Sequence, residues 1–371
     1  MKTRLLKFIT LCVVIALLFP CYAQAVTPNE SRTKLSVYTD PCPDEVLNYA
    51  KSAYQRLLMS AILDGTVSAT GTCPLGTPFT IANSESESPV YYFPIINREK
   101  TIATFRVYLD LECTLDSGVS TYTGILSPFL AEELNALSER ELSAPVLIYA
   151  DNGNIRVKVG NSCETIIPSN DASVPNSTLT VDSVAQLHTV NPSMAIDTRE
   201  FVQPRASSQA ALTLSIIETQ GNDSWCGAYS TAIILRYLLG SSTTPTARTL
   251  MEYVHGEDVE NSDAFSVPNT LAAGVRYGFS PTEVIRPLSA TEVFAQIDAC
   301  KPIYVNARRY DSSVSMYKYH AIVVRGYNRV YDTFSIWNPW HSYYETMDLN
   351  TKQYVASSTI TYTWYATVYD W

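Results

Sequence analysis

Three side chains, far apart in the chain, are of the types that together break an acyl bond: a cysteine, a histidine and an asparagine. Cys226 stands in Gln220-Gly221-Asn222-Asp223-Ser224-Trp225-Cys226-Gly227-Ala228-Tyr229, where a polar loop opens into an apolar run that stops at Gly240. The pattern predicts a helix with Ser224 as N-cap and Gly240 as the glycine just past its end. Ala228, Ala232, Ile233, Leu235 and Leu239 spread around its surface, so the helix should lie in a core. Cys226 then occupies the first turn, where unsatisfied backbone N–H groups and the helix dipole favour an anion. The thiolate is the nucleophilic form of cysteine.

A thiol nucleophile needs a base, and the base needs an orienting group. His255, His320 and His341 follow Cys226. His255 lies in a polar stretch expected to be a loop, and His341 follows the loop-like Asn338-Pro339-Trp340. His320 opens the strand-like run Ala321-Ile322-Val323-Val324, and shares a face with Ile322 and Val324. A hairpin centred on Arg329 sets position 338 across from position 320, with Cβ atoms ~5 Å apart. Asn338 then accepts a hydrogen bond from one ring nitrogen of His320 and fixes its tautomer, shielded by Trp337 and Trp340. Gln220, on a loop loosened by Gly221, is the candidate side-chain donor to a developing oxyanion, beside the N–H of Cys226.

The elements that must hold these groups divide the chain in two. In the second half, helices are expected at 226–239, 268–277 and 289–300, the last opened by the capping-box pattern Ser289-Ala290-Thr291-Glu292. Strands follow at 303–308, 319–327, 333–337, 342–347 and 359–369. Helices first and strands afterwards indicate α+β packing. The first half reads as a helix at 43–63, strands at 78–82, 90–96 and 102–109, a short helix at 128–138, and a hairpin of 146–150 with 155–159 around Asp151-Asn152-Gly153-Asn154. It too is α+β, and offers no catalytic constellation. Between the halves, 168–210 is rich in Ser, Thr, Asn, Pro and Asp, and is expected to be exposed or mobile. Its Asn176-Ser177-Thr178 is a weak match to a glycosylation sequon.

The first residues combine basic Lys2, Arg4 and Lys7, an apolar run at 8–19 and Ala23-Gln24-Ala25, the layout of a secretory signal cleaved before Val26. No later apolar run is long enough to span a membrane. The net charge of −10 and the lack of a basic stripe argue against a nucleic-acid partner. Of eight cysteines, Cys12 and Cys21 fall in the signal; Cys42, Cys73, Cys113 and Cys163 suggest two disulfides in any of three pairings, and Cys300 a buried structural thiol. No C-x-x-C pair or histidine cluster has ligand spacing, so neither metal nor other cofactor is expected.

The block around Cys226, the run His320-Ala321-Ile322-Val323-Val324-Arg325-Gly326 and Ile336-Trp337-Asn338-Pro339-Trp340 together resemble the motifs of the staphopains, secreted bacterial papain-like cysteine endopeptidases. The resemblance covers about 211–371 and, more weakly, 75–108. It implies Cys226 as nucleophile, His320 as general base and acid, Asn338 as orienter and Gln220 as oxyanion donor. It also implies a papain-like domain of helical lobe plus antiparallel lobe, made as a zymogen. The order Cys226-Gly227-Ala228 departs from the family, which usually has alanine before glycine, and the extra cysteines of the first half are a second departure. The expectation is a secreted, monomeric enzyme acting on proteins or peptides: signal peptide 1–25, inhibitory pro-domain with linker 26–205, peptidase domain 206–371, activated by cleavage at about 198–211. Two rivals are a Cys-His peptidoglycan amidase or endopeptidase, and a catalytically dead exported binding protein on the same scaffold.

Overall fold

The computed structural model describes residues 35–82, 89–109, 121–151, 154–168, 187–197, 209–311, 313–350, 353–355 and 361–371. In the N-terminal half, helix α1 (Asp44–Leu63) carries acidic Asp44 and Glu45 in its first turn, and buries Val46, Ala50, Tyr54, Leu57, Leu58 and Ala61 at helical spacing. That stripe packs on Phe93, Ile95, Phe105, Val107 and Leu126 of three antiparallel strands: β1 (Tyr91–Asn97), β2 (Lys100–Leu109) and β3 (Tyr122–Ser127). Helix α2 (Ala131–Ser138) follows. A separate five-stranded sheet is built from Val37–Thr39, Val146–Asp151, Asn154–Val159, Ser162–Ile167 and His188–Val190.

The C-terminal half starts with four helices: α3 (Cys226–Leu238), α4 (Ala247–His255), α5 (Val267–Arg276) and α6 (Ala290–Asp298). Strands β4 (Ile303–Asp311), β5 (Met316–Asn328), β6 (Thr333–Trp337), β7 (Tyr344–Asp348) and β8 (Thr361–Tyr369) come next. The mixed α+β class, helices followed by antiparallel strands, is as the sequence indicates. The sheet runs across both halves in the order β1-β2-β3-β7-β6-β5-β4-β8, because Ile125 and Leu126 of β3 pair with Met347 and Thr346 of β7. Side chains reinforce this seam. Arg56 of α1 pairs with Asp348 and donates to the Tyr331 carbonyl at 2.8 Å, and Thr333 lies 2.6 Å from Ser60, Oγ1 to Oγ.

Four expectations need correction. The segment 168–210 is not a plain linker: among its described residues, His188–Val190 pairs with Val37–Thr39, Ala195–Asp197 with Leu75–Gly76, and Gln209 and Ala210 lie on β5. Backbone ladders there supply what the polar composition lacks. The two disulfides are not formed: Cys42, Cys73 and Cys163 are free thiols, and Cys113 lies outside the described residues. Cys300 is exposed, because its φ of +58° turns it outward just past α6. His255 ends a helix instead of lying in a loop, since Leu250 and Met251 give α4 a buried side. The signal segment, the sequon and most of the expected activation site fall outside the described residues.

Candidate active site

Helix α3 begins at Cys226 and ends in a Schellman arrangement, with Gly240 at φ +62°, Gly240 N–H on the Tyr237 carbonyl and Ser241 N–H on that of Arg236. The cap position is Trp225 and not Ser224, and no side chain caps the helix. Asp223 instead holds the loop before it, its Oδ1 accepting from the Trp225 N–H at 3.0 Å and its Oδ2 from the Tyr229 hydroxyl at 3.2 Å. Three further bonds pin the loop. Ser224 N–H donates to the Asn261 carbonyl, Trp225 Nε1 to that of Glu260 at 3.1 Å, and Gln220 N–H to that of Pro339 at 2.8 Å. The last joins the two motifs directly, the cysteine loop to the asparagine loop.

Gly227 has a steric reason. A Cβ there would stand 2.1 Å from the Phe265 carbonyl oxygen and 3.2 Å from the Tyr304 hydroxyl. The chain that walls the site thus crosses directly over the helix start, and only glycine lets it do so.

Cys226, half-buried, and His320, buried, line one cleft of about 490 Å³. Phe265, Val267, Ile285, Tyr304 and Tyr365 supply much of its apolar wall, and Glu283 and Lys318 also line it. Tyr304 is a residue the sequence reading missed. Burial, then negative charge at Cys226, pushes its phenol up, so it stays a neutral hydroxyl beside the thiol.

His320 lies on β5 opposite Ala307 of β4, with Trp340 stacked at 4.0 Å and Tyr362 at 5.3 Å between ring centroids. Its Nε2 is 2.9 Å from Asn338 Oδ1. The hairpin register differs from the expectation. Val323 faces Trp337 and Val324 faces Ile336, and a bulge at Arg325 shifts the pairing by one. Extended past Trp337, this sets Asn338 across from Ile322, diagonal to His320 on the same face. Asn338 Oδ1 also accepts from the Trp340 N–H at 3.1 Å, and the asparagine is fully buried.

Gln220 is buried but is not among the residues lining the cleft. Its Nε2 donates to the Asp223 carbonyl at 2.6 Å, and its Oε1 has no hydrogen-bond partner among the described residues. His341 is kept away from Cys226: it stacks on Tyr343 at 4.7 Å and lines a different cavity with Phe129 and Leu130. Burial holds its pKa below the ordinary histidine value. His255 meets the Ala264 carbonyl at 3.1 Å and is not part of the cleft lining. No group of metal-ligating side chains occurs among the described residues.

Known proteins resemble the chain along its whole length. Residues 208–371 match the family described as Staphopain peptidase C47. Staphopain A of Staphylococcus aureus is 23% identical over 394 residues, with both chains covered completely. An extracellular cysteine protease of Staphylococcus epidermidis is 24% identical over 367 residues, covering 92% of this chain and 90% of that one. The family match over 208–371 and the whole-chain similarity to staphopain A identify the chain as a staphopain-like, cysteine-type peptidase.

Proposed function

We propose that the chain is a secreted endopeptidase in which Cys226 attacks the peptide carbonyl, His320 takes and returns the proton, and Asn338 orients the imidazole. The single observation that carries this reading is the shared cleft. Cys226 at a helix start and His320 line it together, and the His320 Nε2 bond to Asn338 leaves Nδ1 as the nitrogen available to the thiol. The attack forms an S–C bond and an oxyanion. His320 then protonates the leaving amine, and water, deprotonated by the same imidazole, releases the acid. The oxyanion is assigned to the Cys226 N–H and a remaining N–H of the Gln220 amide. The apolar wall of the cleft suits a substrate side chain of apolar or aromatic character, and no cofactor is required.

Residues 26–205 act in this reading as an inhibitory pro-domain, which fits the continuous sheet and the interlocked seam between the halves. The described residues lining the cleft all lie between Ser224 and Ala366. Casein hydrolysis tests the proposal: Cys226→Ala should remove it while the fold persists, and a wild-type rate would overturn it. Peptidoglycan assayed in parallel separates the amidase alternative.

A further inference from the structure

The hydrogen bonds around Asn338 continue beyond it. Asn338 Nδ2 donates to Tyr354 Oη at 2.6 Å, and Tyr354 Oη lies 2.6 Å from Glu345 Oε2. Glu345 Oε1 pairs with Arg106 of β2, in the N-terminal half. Arg106, Glu345 and Asn338 are 0% exposed, His320 and Tyr354 2%. A line of buried polar groups therefore runs from the first half of the chain to the histidine of the cleft.

Each bond in that line has a forced direction. A carboxylate only accepts, so the Tyr354 O–H donates to Glu345. The Tyr354 oxygen then accepts from the Asn338 amide, whose two ends are thereby told apart. Asn338 Oδ1 is turned toward the Trp340 N–H and His320, and it too only accepts. The hydrogen of His320 must sit on Nε2, and the lone pair on Nδ1.

We propose that Glu345 is a positioning residue for His320, acting through Tyr354 and Asn338, and that in the uncleaved chain Arg106 is the counter-ion by which the N-terminal half helps to set the histidine tautomer. A carboxylate buried without a partner is costly, and Arg106 is the ion-pair partner of Glu345, whose other oxygen accepts from the Tyr354 hydroxyl. Burial opposes the Arg106 charge most strongly, but Glu345 together with Tyr354, Tyr92 and Tyr343 outweighs burial and raises its pKa. Burial first, then the Glu345 charge, keeps the Tyr354 phenol protonated, as a donor must be. The other groups facing Glu345 are His341 and Tyr343; burial lowers the pKa of the first and raises that of the second, which keeps both neutral. Tyr108, two residues from Arg106 on β2, donates to the Gln353 carbonyl at 2.9 Å and ties down the neighbour of Tyr354.

This inference rests on the proposed Cys-His-Asn reading, but its test reads the tautomer and not hydrolysis. The sample is the chain from Val26 carrying Cys226→Ala, labelled with ¹⁵N-histidine; four histidines keep long-range ¹H–¹⁵N spectra resolvable. The expected result for the parent is His320 protonated on Nε2 alone. Tyr354→Phe keeps the ion pair but cuts the line, and should give a mixture of Nε2–H and Nδ1–H forms. The double variant Arg106→Met with Glu345→Met removes both charges without stranding one, so it should fold, and should give the same mixture. His320 remaining wholly Nε2–H in both variants would overturn the proposal. A mixture in Tyr354→Phe alone would overturn the part assigned to Glu345 and Arg106. Failure of the peptidase reading would instead appear as casein hydrolysis that survives Cys226→Ala, whatever the tautomer.

Discussion

His320 Nε2 and Asn338 Oδ1 lie 2.9 Å apart although the ladder does not set the two residues opposite each other. The bond is diagonal, and it holds because Asn338 is fixed from its other side by Tyr354 and from below by the Trp340 N–H. Trp340 also covers the imidazole face. His320→Ala should lower kcat by a factor of roughly 10²–10⁴ or more, the usual contribution of a general base. Asn338→Ala should cost less, because it releases the base without removing it. Single-turnover kinetics on a peptide substrate decide this, and equal losses would contradict the division of roles.

Gly227 predicts a stability effect at the nucleophile's neighbour. Gly227→Ala drives a methyl group into the Phe265 carbonyl. The wall of the cleft must shift, at a cost of about 1–3 kcal/mol. Thermal denaturation in the Cys226→Ala background, which cannot digest itself, should show a lower midpoint; an unchanged one would mean that the wall yields freely.

Gln220→Ala should lower kcat by roughly 10²–10³ with little change in KM, as loss of an oxyanion donor does. The Gln220 amide already gives one N–H to Asp223, so only the other is open to an oxyanion. An unaltered rate would show that the amide serves the loop alone.

A pH effect is expected at α6. Ser289 and Glu292 complete the capping box, and Arg286 pairs with Glu292. Those bonds, Arg286 foremost, lower the Glu292 pKa to about 2. A depressed carboxylate contributes stability above its unfolded value, ~4.3, which is lost as pH falls toward about 2. Glu292→Gln should therefore lower the melting midpoint at pH 7, and the gap to the parent should narrow as the pH approaches 2. A gap independent of pH would assign the effect to packing.

Much of the site could be read from local pattern. The helix after Cys226 announced itself by an apolar run closed by glycine, and the strands β4 to β8 by alternation and β-branched residues. The capping box at Ser289 is a four-residue signal. What could not be read depends on contacts distant in sequence. The bulge at Arg325 follows from the burial of that guanidinium, which donates to the Leu212 carbonyl and lies over the Tyr344 ring at 3.5 Å. The pairing of β3 with β7 joins residues more than two hundred positions apart, and no periodicity encodes it. Glu345 left a faint trace, an acid between Tyr344 and Thr346 in a strand otherwise suited to burial, but nothing near it points to Arg106. Helix α4 was missed because its buried face is narrow and the rest is polar.

Release of the C-terminal half should follow cleavage at about 198–211, since polar connections between domain-like halves are the usual sites of nicking. Adding a trace of active enzyme to the Cys226→Ala chain and sequencing the new N-terminus checks this. An end outside that window would move the domain boundary. A full-length chain as active on a small peptide as the trimmed form would show that the first half is not inhibitory.

The most direct test of the central claim is the initial rate of casein hydrolysis by the trimmed wild-type and Cys226→Ala proteins, each verified as folded. The account predicts robust hydrolysis by the first and none above background by the second. Hydrolysis by Cys226→Ala at the wild-type rate would contradict it.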